Sequence, residues 1–207
     1  MQTVLYDHPL IKNKVALLRD KNTKTTQFRS IMSELSGLMC YEATKDLRMK
    51  KVRIQTPLCE TEADMLDQEV VLVPILRAGL GMIETVQMLI PHAKIGHIGL
   101  YRDEETATPR QYYAKLPKGL KDAVVLVLDP MLATGGTVKA AVDILKDCGA
   151  EDIRFVSIVG CPEGLDYVEK HCPDVKVYLA ALDKGLNEKN YIVPGLGDAG
   201  DRLFGTK

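Results

Sequence analysis

Apolar residues along this chain fall into two kinds of pattern. Short runs dominated by apolar and β-branched residues stand at Glu69–Leu76 (EVVLVPIL), Lys94–Tyr101, Val124–Leu128 (VVLVL), Asp152–Val159 and Val175–Leu182. Runs of this kind predict strands buried on both faces of a parallel sheet. Elsewhere apolar residues recur at helical spacing. Phe28, Ile31, Leu35, Leu38 and Met39 do so within Gln27–Arg48, with Arg29, Ser33, Glu34 and Lys45 between them, an amphipathic helix. Leu80, Ile83, Val86 and Leu89 predict a second helix. Val138, Ala141, Val142 and Leu145 predict a third that begins near Gly136, and Glu163–His171 a short fourth. Strand and helix alternate, so the expected fold is α/β: a mostly parallel sheet with helices on both faces.

In such sheets ligands collect at the carboxyl ends of strands, and two strand ends here carry chemistry. Val124–Leu128 runs into Asp129, then Pro130, Met131, Leu132, Ala133, Thr134, Gly135, Gly136 and Thr137, where a helix opens. A glycine/threonine loop between a strand and a helix start is an anion seat. Backbone N–H groups converge there, the helix end is partially positive, and two threonine hydroxyls add donors. The spacing of a P-loop is absent. At the other strand end, Leu76 is followed by Arg77, Ala78 and Gly79. Arg77 could hold a diphosphate bidentately or merely pair structurally; the matching Asp129 loop favours the ligand role. The run Lys94–Tyr101 leads into Tyr101-Arg102 and a polar connection over 102–117 with Asp103, Glu104, Glu105, Thr106, Thr108 and Arg110. Its length predicts a flap over a site, with Gln111–Tyr113 a candidate short strand, or else a plain solvated loop.

The last stretch, Asn190–Lys207, contains a formal Gly-x-Gly-x-x-Gly at Gly195, Gly197 and Gly200. A dinucleotide fingerprint must open a long helix in a βαβ unit, and too little chain follows Gly200 for one. The segment instead offers a tightly turned backbone with Asp198 and Asp201, able to meet a flat heterocycle edge-on.

Composition narrows the picture without redirecting it. The 207 residues suit one α/β domain, expected over 1–207, with an N-terminal arm at about 1–26, the flap at about 102–117 and a base-binding tail at about 190–207. A net charge of −1 argues against a nucleic-acid coat, and the strand-sized apolar runs argue against a membrane-spanning helix. The opening residues MQTVLYDHPL lack the pattern of a secretory leader. Cys40, Cys59, Cys148, Cys161 and Cys172 are scattered, as expected of free thiols in a reducing cytoplasm. Neither they nor the four histidines have ligand spacing, so no metal is expected on side chains alone.

The DPMLATGGT loop resembles the phosphoribosyl-pyrophosphate (PRPP) loop of the type I phosphoribosyltransferase family. Most members carry a second acid where this chain has Pro130. YIVPGLGDAGDR followed by FGT, with VPILRAG, HPL and YEATKDL, is similar to the uracil branch of that family, in which Pro130 is the usual residue. The resemblance spans nearly the whole chain. It implies transfer of a phosphoribosyl group from PRPP to uracil, giving UMP and diphosphate in pyrimidine salvage. Asp129 would hold the ribose hydroxyls, and the loop from Pro130 through Leu132–Thr137 the 5′-phosphate. Arg77 and Arg102 would neutralise the diphosphate. Ile192, Gly197, Asp198 and Ala199 would line the uracil pocket, whose backbone groups can match two carbonyls and a ring N–H. Asp129, Arg102 and Asp198 are the expected catalytic set. Mg²⁺ would be held mainly by PRPP oxygens and water. The resemblance also brings a homodimer or higher homo-oligomer and, in some members, a GTP effector. The alternatives are another base, purine or orotate, and an RNA-binding pyrimidine regulator on the same fold.

Overall fold

The computed structural model describes residues 2–102 and 109–206, with only the backbone at Arg102. In chain order the elements are β1 (Gln2–Leu5), α1 (Pro9–Arg19), α2 (Thr25–Ala43), β2 (Met49–Gln55), β3 (Glu60–Leu66), β4 (Val70–Leu76), α3 (Ile83–Leu89), β5 (Lys94–Ile95), β6 (His97–Arg102) and β7 (Pro109–Lys115). They continue with β8 (Val124–Leu128), β9 (Met131–Leu132), α4 (Gly136–Asp147), β10 (Asp152–Gly160), α5 (Pro162–His171), β11 (Lys176–Leu182), β12 (Gly185–Leu186), β13 (Ile192–Val193) and α6 (Ala199–Phe204). Short 3₁₀ turns at Ala78–Met82 and Leu120–Asp122 complete the set.

The main sheet runs β1-β11-β10-β8-β4-β6-β7, with β5 on β4 and β9 on β10. Every pairing in it is parallel except β6 with β7. Strand periodicity divides the apolar runs between two layers. Val70, Leu72, Val124, Leu126 and Leu128 pack with α1 and α2. Val71, Val73, Val125 and Val127 pack with α4 and α5. Both faces are therefore covered by helices, and β8 is buried at every position. Each such side chain contributes about 2 kcal/mol of burial against its ordering entropy.

Several local readings change. Helix α2 ends at Ala43 rather than Arg48, because two side chains take its last carbonyls. Thr44 Oγ1 donates to Cys40 O at 2.7 Å. Buried Arg154 donates to Ala43 O at 2.7 Å while pairing with Asp46 and, at 2.7 Å, with Asp152. The run Lys94–Tyr101 is split at Gly96, whose amide still donates to Leu72 O at 2.9 Å. Within the expected flap, Pro109–Lys115 forms β7 against β6, longer than the Gln111–Tyr113 strand that the sequence suggested. Asp103, Glu104, Glu105, Thr106 and Thr108 lie outside the described residues. The β2–β3 hairpin has no counterpart in the sequence reading. Almost every position on it is exposed, so no buried face imposes an apolar alternation. Its register instead sets Lys51 against Asp64 and Arg53 against Glu62. Within the expected arm, β1 pairs with β11 and His8 caps α1, its Nδ1 accepting from Leu10 N at 3.2 Å.

Candidate active site

The carboxyl ends of β4 and β8 lie side by side, since the two strands are paired in register from Val70 with Val124 to Pro74 with Leu128. Beyond them a cleft of about 230 Å³ is lined by Arg77, Ala78, Asp129, Pro130, Met131, Tyr191, Gly197, Asp198, Ala199 and Gly200. Three separated stretches that the sequence singled out thus meet at one place. Asp129 accepts from Met131 N at 3.2 Å through its own Oδ1, a turn that fixes the carboxyl at the cleft edge. Burial pushes its pKa up to about 7, with the Met131 N–H opposing the shift. Arg77 is exposed and lies 3.4 Å from Asp201, with its guanidinium 5.7 Å from the centre of the Phe204 ring. A pairing so long and so solvated holds the side chain only loosely.

Adjoining this cleft, and sharing Met131 with it, a second cavity of about 160 Å³ is lined by Met131 through Val138 and by Pro109 of β7. It is the Gly/Thr loop read from the sequence. Gly135 caps α4 with φ 79°, a left-handed conformation that a side chain would strain. The amino end of this twelve-residue helix opens beside the cavity, so its positive end faces whatever anion sits there.

The tail forms a further wall of the cleft. Asp198 caps α6, its Oδ1 accepting from Asp201 N at 2.9 Å. The turn before it is held from far away in sequence. Arg19 and Asp183 form a bidentate pair; Asp183 Oδ2 accepts from Gly195 N at 2.9 Å and Arg19 Nη1 donates to Gly195 O at 2.8 Å. Arg202 donates to the carbonyls of Leu18, of Leu196 at 2.7 Å and of Asp20 at 2.7 Å, and stacks 4.4 Å from the centre of Phe28. Burial lowers its pKa, opposed by the charge of Asp20. The side chain of Ile192 is buried in the core, which leaves its backbone as the part that could face a ligand. It is β13's pairing with β12 that turns it inward, leaving its neighbour Tyr191 at the cleft.

The family model for uracil phosphoribosyltransferase matches residues 4–206. The chain belongs to the uracil phosphoribosyltransferase family. It is 57% identical over 204 residues to a uracil phosphoribosyltransferase of Acholeplasma laidlawii, covering 99% of this chain and 98% of that one. To that of Malacoplasma penetrans it is 52% identical over 205 residues, covering 99% and 100%. Among solved structures it superposes on the AQ2163 protein of Aquifex aeolicus with a TM-score of 0.94 at 39% identity, over 98% of both chains. The adenine phosphoribosyl transferase of Trypanosoma brucei shares the fold, with a TM-score of 0.60 at 15% identity over 91% of this chain and 85% of that one.

Some residues at the candidate site carried no role in the sequence reading. Tyr191 could have been found, since it opens the tail signature; Pro109 and the Arg19–Asp183 pair carry no local signal at all. The side chain of Arg102 lies outside the described residues, and its backbone ends β6 beside β4. For a divalent cation the donor set is sparse. Asp129 and Asp198 line the same cleft, and among the described residues no cluster of three potential ligands occurs. Two carboxylates fit a cation that arrives with most of its own oxygen ligands.

Proposed function

We infer that this chain transfers the phosphoribosyl group of PRPP to N1 of uracil, releasing diphosphate and forming UMP, a pentosyl transfer of pyrimidine salvage. The observation that carries the reading is the convergence of Asp129, Arg77 and the Gly197–Gly200 turn on one cleft beside the Met131–Val138 cradle.

The roles follow from chemistry. The cradle from Pro130 to Thr137 takes the 5′-phosphate. Asp129 accepts from the ribose hydroxyls. Arg77, with Arg102, takes the diphosphate, whose negative charge grows as its bond to C1 breaks. Uracil lies against the backbone of Gly197, Asp198 and Ala199, with Ile192 contributing through its main chain, and Tyr191 borders it. Positive charge accumulates on the ribose in an oxocarbenium-like transition state. The carboxylates of Asp129 and Asp198 favour that charge. Mg²⁺, bound chiefly through PRPP oxygens and water, would supply further neutralisation of the leaving group. The flap at about 102–117 is the element that would keep water from the ribose.

The whole chain, 1–207, is one such catalytic unit in this reading. A homo-oligomer is supported by an apolar groove between α1, α2, α3 and β3, where Leu10, Tyr41 and Leu89 lie open, and by the exposed β2–β3 hairpin, a two-stranded form that is marginal alone. A cytoplasmic setting is supported by five unpaired cysteines; no helix among the described residues is long and apolar enough to cross a membrane. The RNA-binding regulator is not favoured, because relatives matched over nearly the full length are named for the enzyme. The test is conversion of labelled uracil to UMP with PRPP and Mg²⁺, beside orotate, hypoxanthine and adenine. UMP from uracil alone supports the assignment, and product from a purine instead would overturn it. Repeating the assay with GTP tests the effector.

A further inference from the structure

The phosphate cradle is shaped from behind by the start of α5, which lies outside the cavity that the cradle lines. Cys161 is fully buried, and its backbone N–H donates to Leu132 O at 3.2 Å. Its Sγ donates to Ala133 O at 3.1 Å and also lies 3.6 Å from Leu132 O. One residue therefore holds two consecutive carbonyls of the loop. Just before them, Pro130 O accepts from Ile158 N at 3.2 Å and Val159 N at 3.0 Å. Across a planar trans peptide the N–H points opposite to the C=O. Fixing the carbonyls of Leu132 and Ala133 toward α5 therefore turns the N–H groups of Ala133 and Thr134 the other way, to the side on which Met131–Val138 line the cavity. Successive N–H groups facing one side make an anion-binding concavity.

The approach is possible only because Gly164 has no side chain. A Cβ there would collide with Ala133 O and stand 2.8 Å from Leu132 O. The contact continues at Gly135, where an added Cβ would meet Gly164 O at 2.9 Å.

We propose that Cys161 and Gly164 are positioning residues for PRPP: the thiol and the missing side chain hold the loop carbonyls outward so that the Ala133 and Thr134 amides face the 5′-phosphate. The proposal rests on the PRPP reading of the cradle. The thiol acts as a donor and not as a nucleophile; burial raises its pKa to about 11, which keeps the S–H intact.

The test is steady-state kinetics on the full chain for Cys161→Ala, Cys161→Ser and Gly164→Ala, with KM measured for each substrate. Calorimetric titration of PRPP without uracil gives a second readout. Loss of one hydrogen bond predicts a rise of about fivefold in KM and Kd for PRPP in Cys161→Ala, with KM for uracil within about twofold. Serine keeps a donor and restores PRPP binding. Gly164→Ala pushes the loop into the cavity and gives the larger PRPP defect, while unfolding transitions verify that each variant is folded. An active parent with unchanged PRPP constants in Cys161→Ala would overturn the positioning role alone, as would equal losses for both substrates or a serine variant no better than alanine. A parent that neither binds PRPP nor turns it over would overturn the PRPP reading itself.

Discussion

The two walls of the cleft are built in opposite ways. The wall proposed to take the phosphate is one continuous segment, Asp129 to Val138, running from a buried strand into a helix, so its ligand groups are contiguous in the chain and are braced from behind by Cys161 and Gly164 at the start of α5. The wall proposed to take the base is a turn of little regular structure, fixed by Arg19, Asp183 and Arg202, whose longest contacts reach across 164 to 184 positions of chain. A ligand for the first wall can be recognised wherever the motif occurs. In the proposed reading, specificity for the base depends on a scaffold that exists only once the chain has folded. The comparison predicts that damage to the two walls separates by substrate.

The largest effect is expected at Asp129. Asp129→Asn should lower kcat/KM by about 100-fold or more, since the lost charge is one that the transition state uses. The fold should survive, and kinetics beside thermal unfolding check both. The asparagine should even stabilise at high pH. The folded pKa of Asp129, near 7, lies above its ordinary value. Its contribution to stability is therefore fully present below the ordinary carboxylate range and is lost as pH rises through about 7. The difference in Tm between variant and parent should widen as pH rises from about 4 to about 7 and level off above that, and a difference independent of pH across that range would contradict the raised pKa.

Breaking the base wall should act through structure. Asp183→Ala leaves Arg19 without its carboxylate partner and Gly195 N without its acceptor, at a cost of about 3 kcal/mol. A Tm lower by about 6 °C or more is expected. KM for uracil should rise more than KM for PRPP. The reverse order would mean that the two walls are not separable in this way.

Arg77→Ala should raise KM for PRPP about tenfold, the scale of a lost charge-assisted hydrogen bond, with little change in Tm. Among the described residues its partners in the free protein are Asp201, in a long pair, and the Phe204 ring. The smallest effect is a proton count. Hydrogen bonds from ribose hydroxyls favour the charged carboxylate, so PRPP binding near pH 7 should release up to about half a proton from Asp129. Calorimetry in buffers of different ionisation enthalpy reads it, and proton uptake would contradict the assigned contact.

The same contrast explains what the sequence disclosed. The sheet was legible because β4, β8, β10 and β11 are buried on both faces, so their residue types are constrained at nearly every position. The cradle was legible because its acid, threonines and glycines are contiguous. The resemblance pointed to Gly197, Asp198 and Ala199, which do border the cleft, but not to what holds them. Arg19 reads as an ordinary basic residue in the last turn of a helix, and Asp183 as a polar residue after a strand. Nothing local marks either as half of a buried pair. Arg154 is hidden in the same way, as a charge inside an apolar run whose partners Asp46 and Asp152 neutralise it. The β2–β3 hairpin was illegible because it buries no face of its own.

The most direct test of two walls serving one reaction is diffraction from crystals grown with Mg²⁺, uracil and a PRPP analogue that cannot transfer its ribose. The 5′-phosphate should lie against Met131–Thr137, the ribose at Asp129, the diphosphate toward Arg77 and the uracil edge on the Gly197–Ala199 backbone. A base bound elsewhere, or a phosphate held away from the Ala133 and Thr134 amides, would contradict that arrangement.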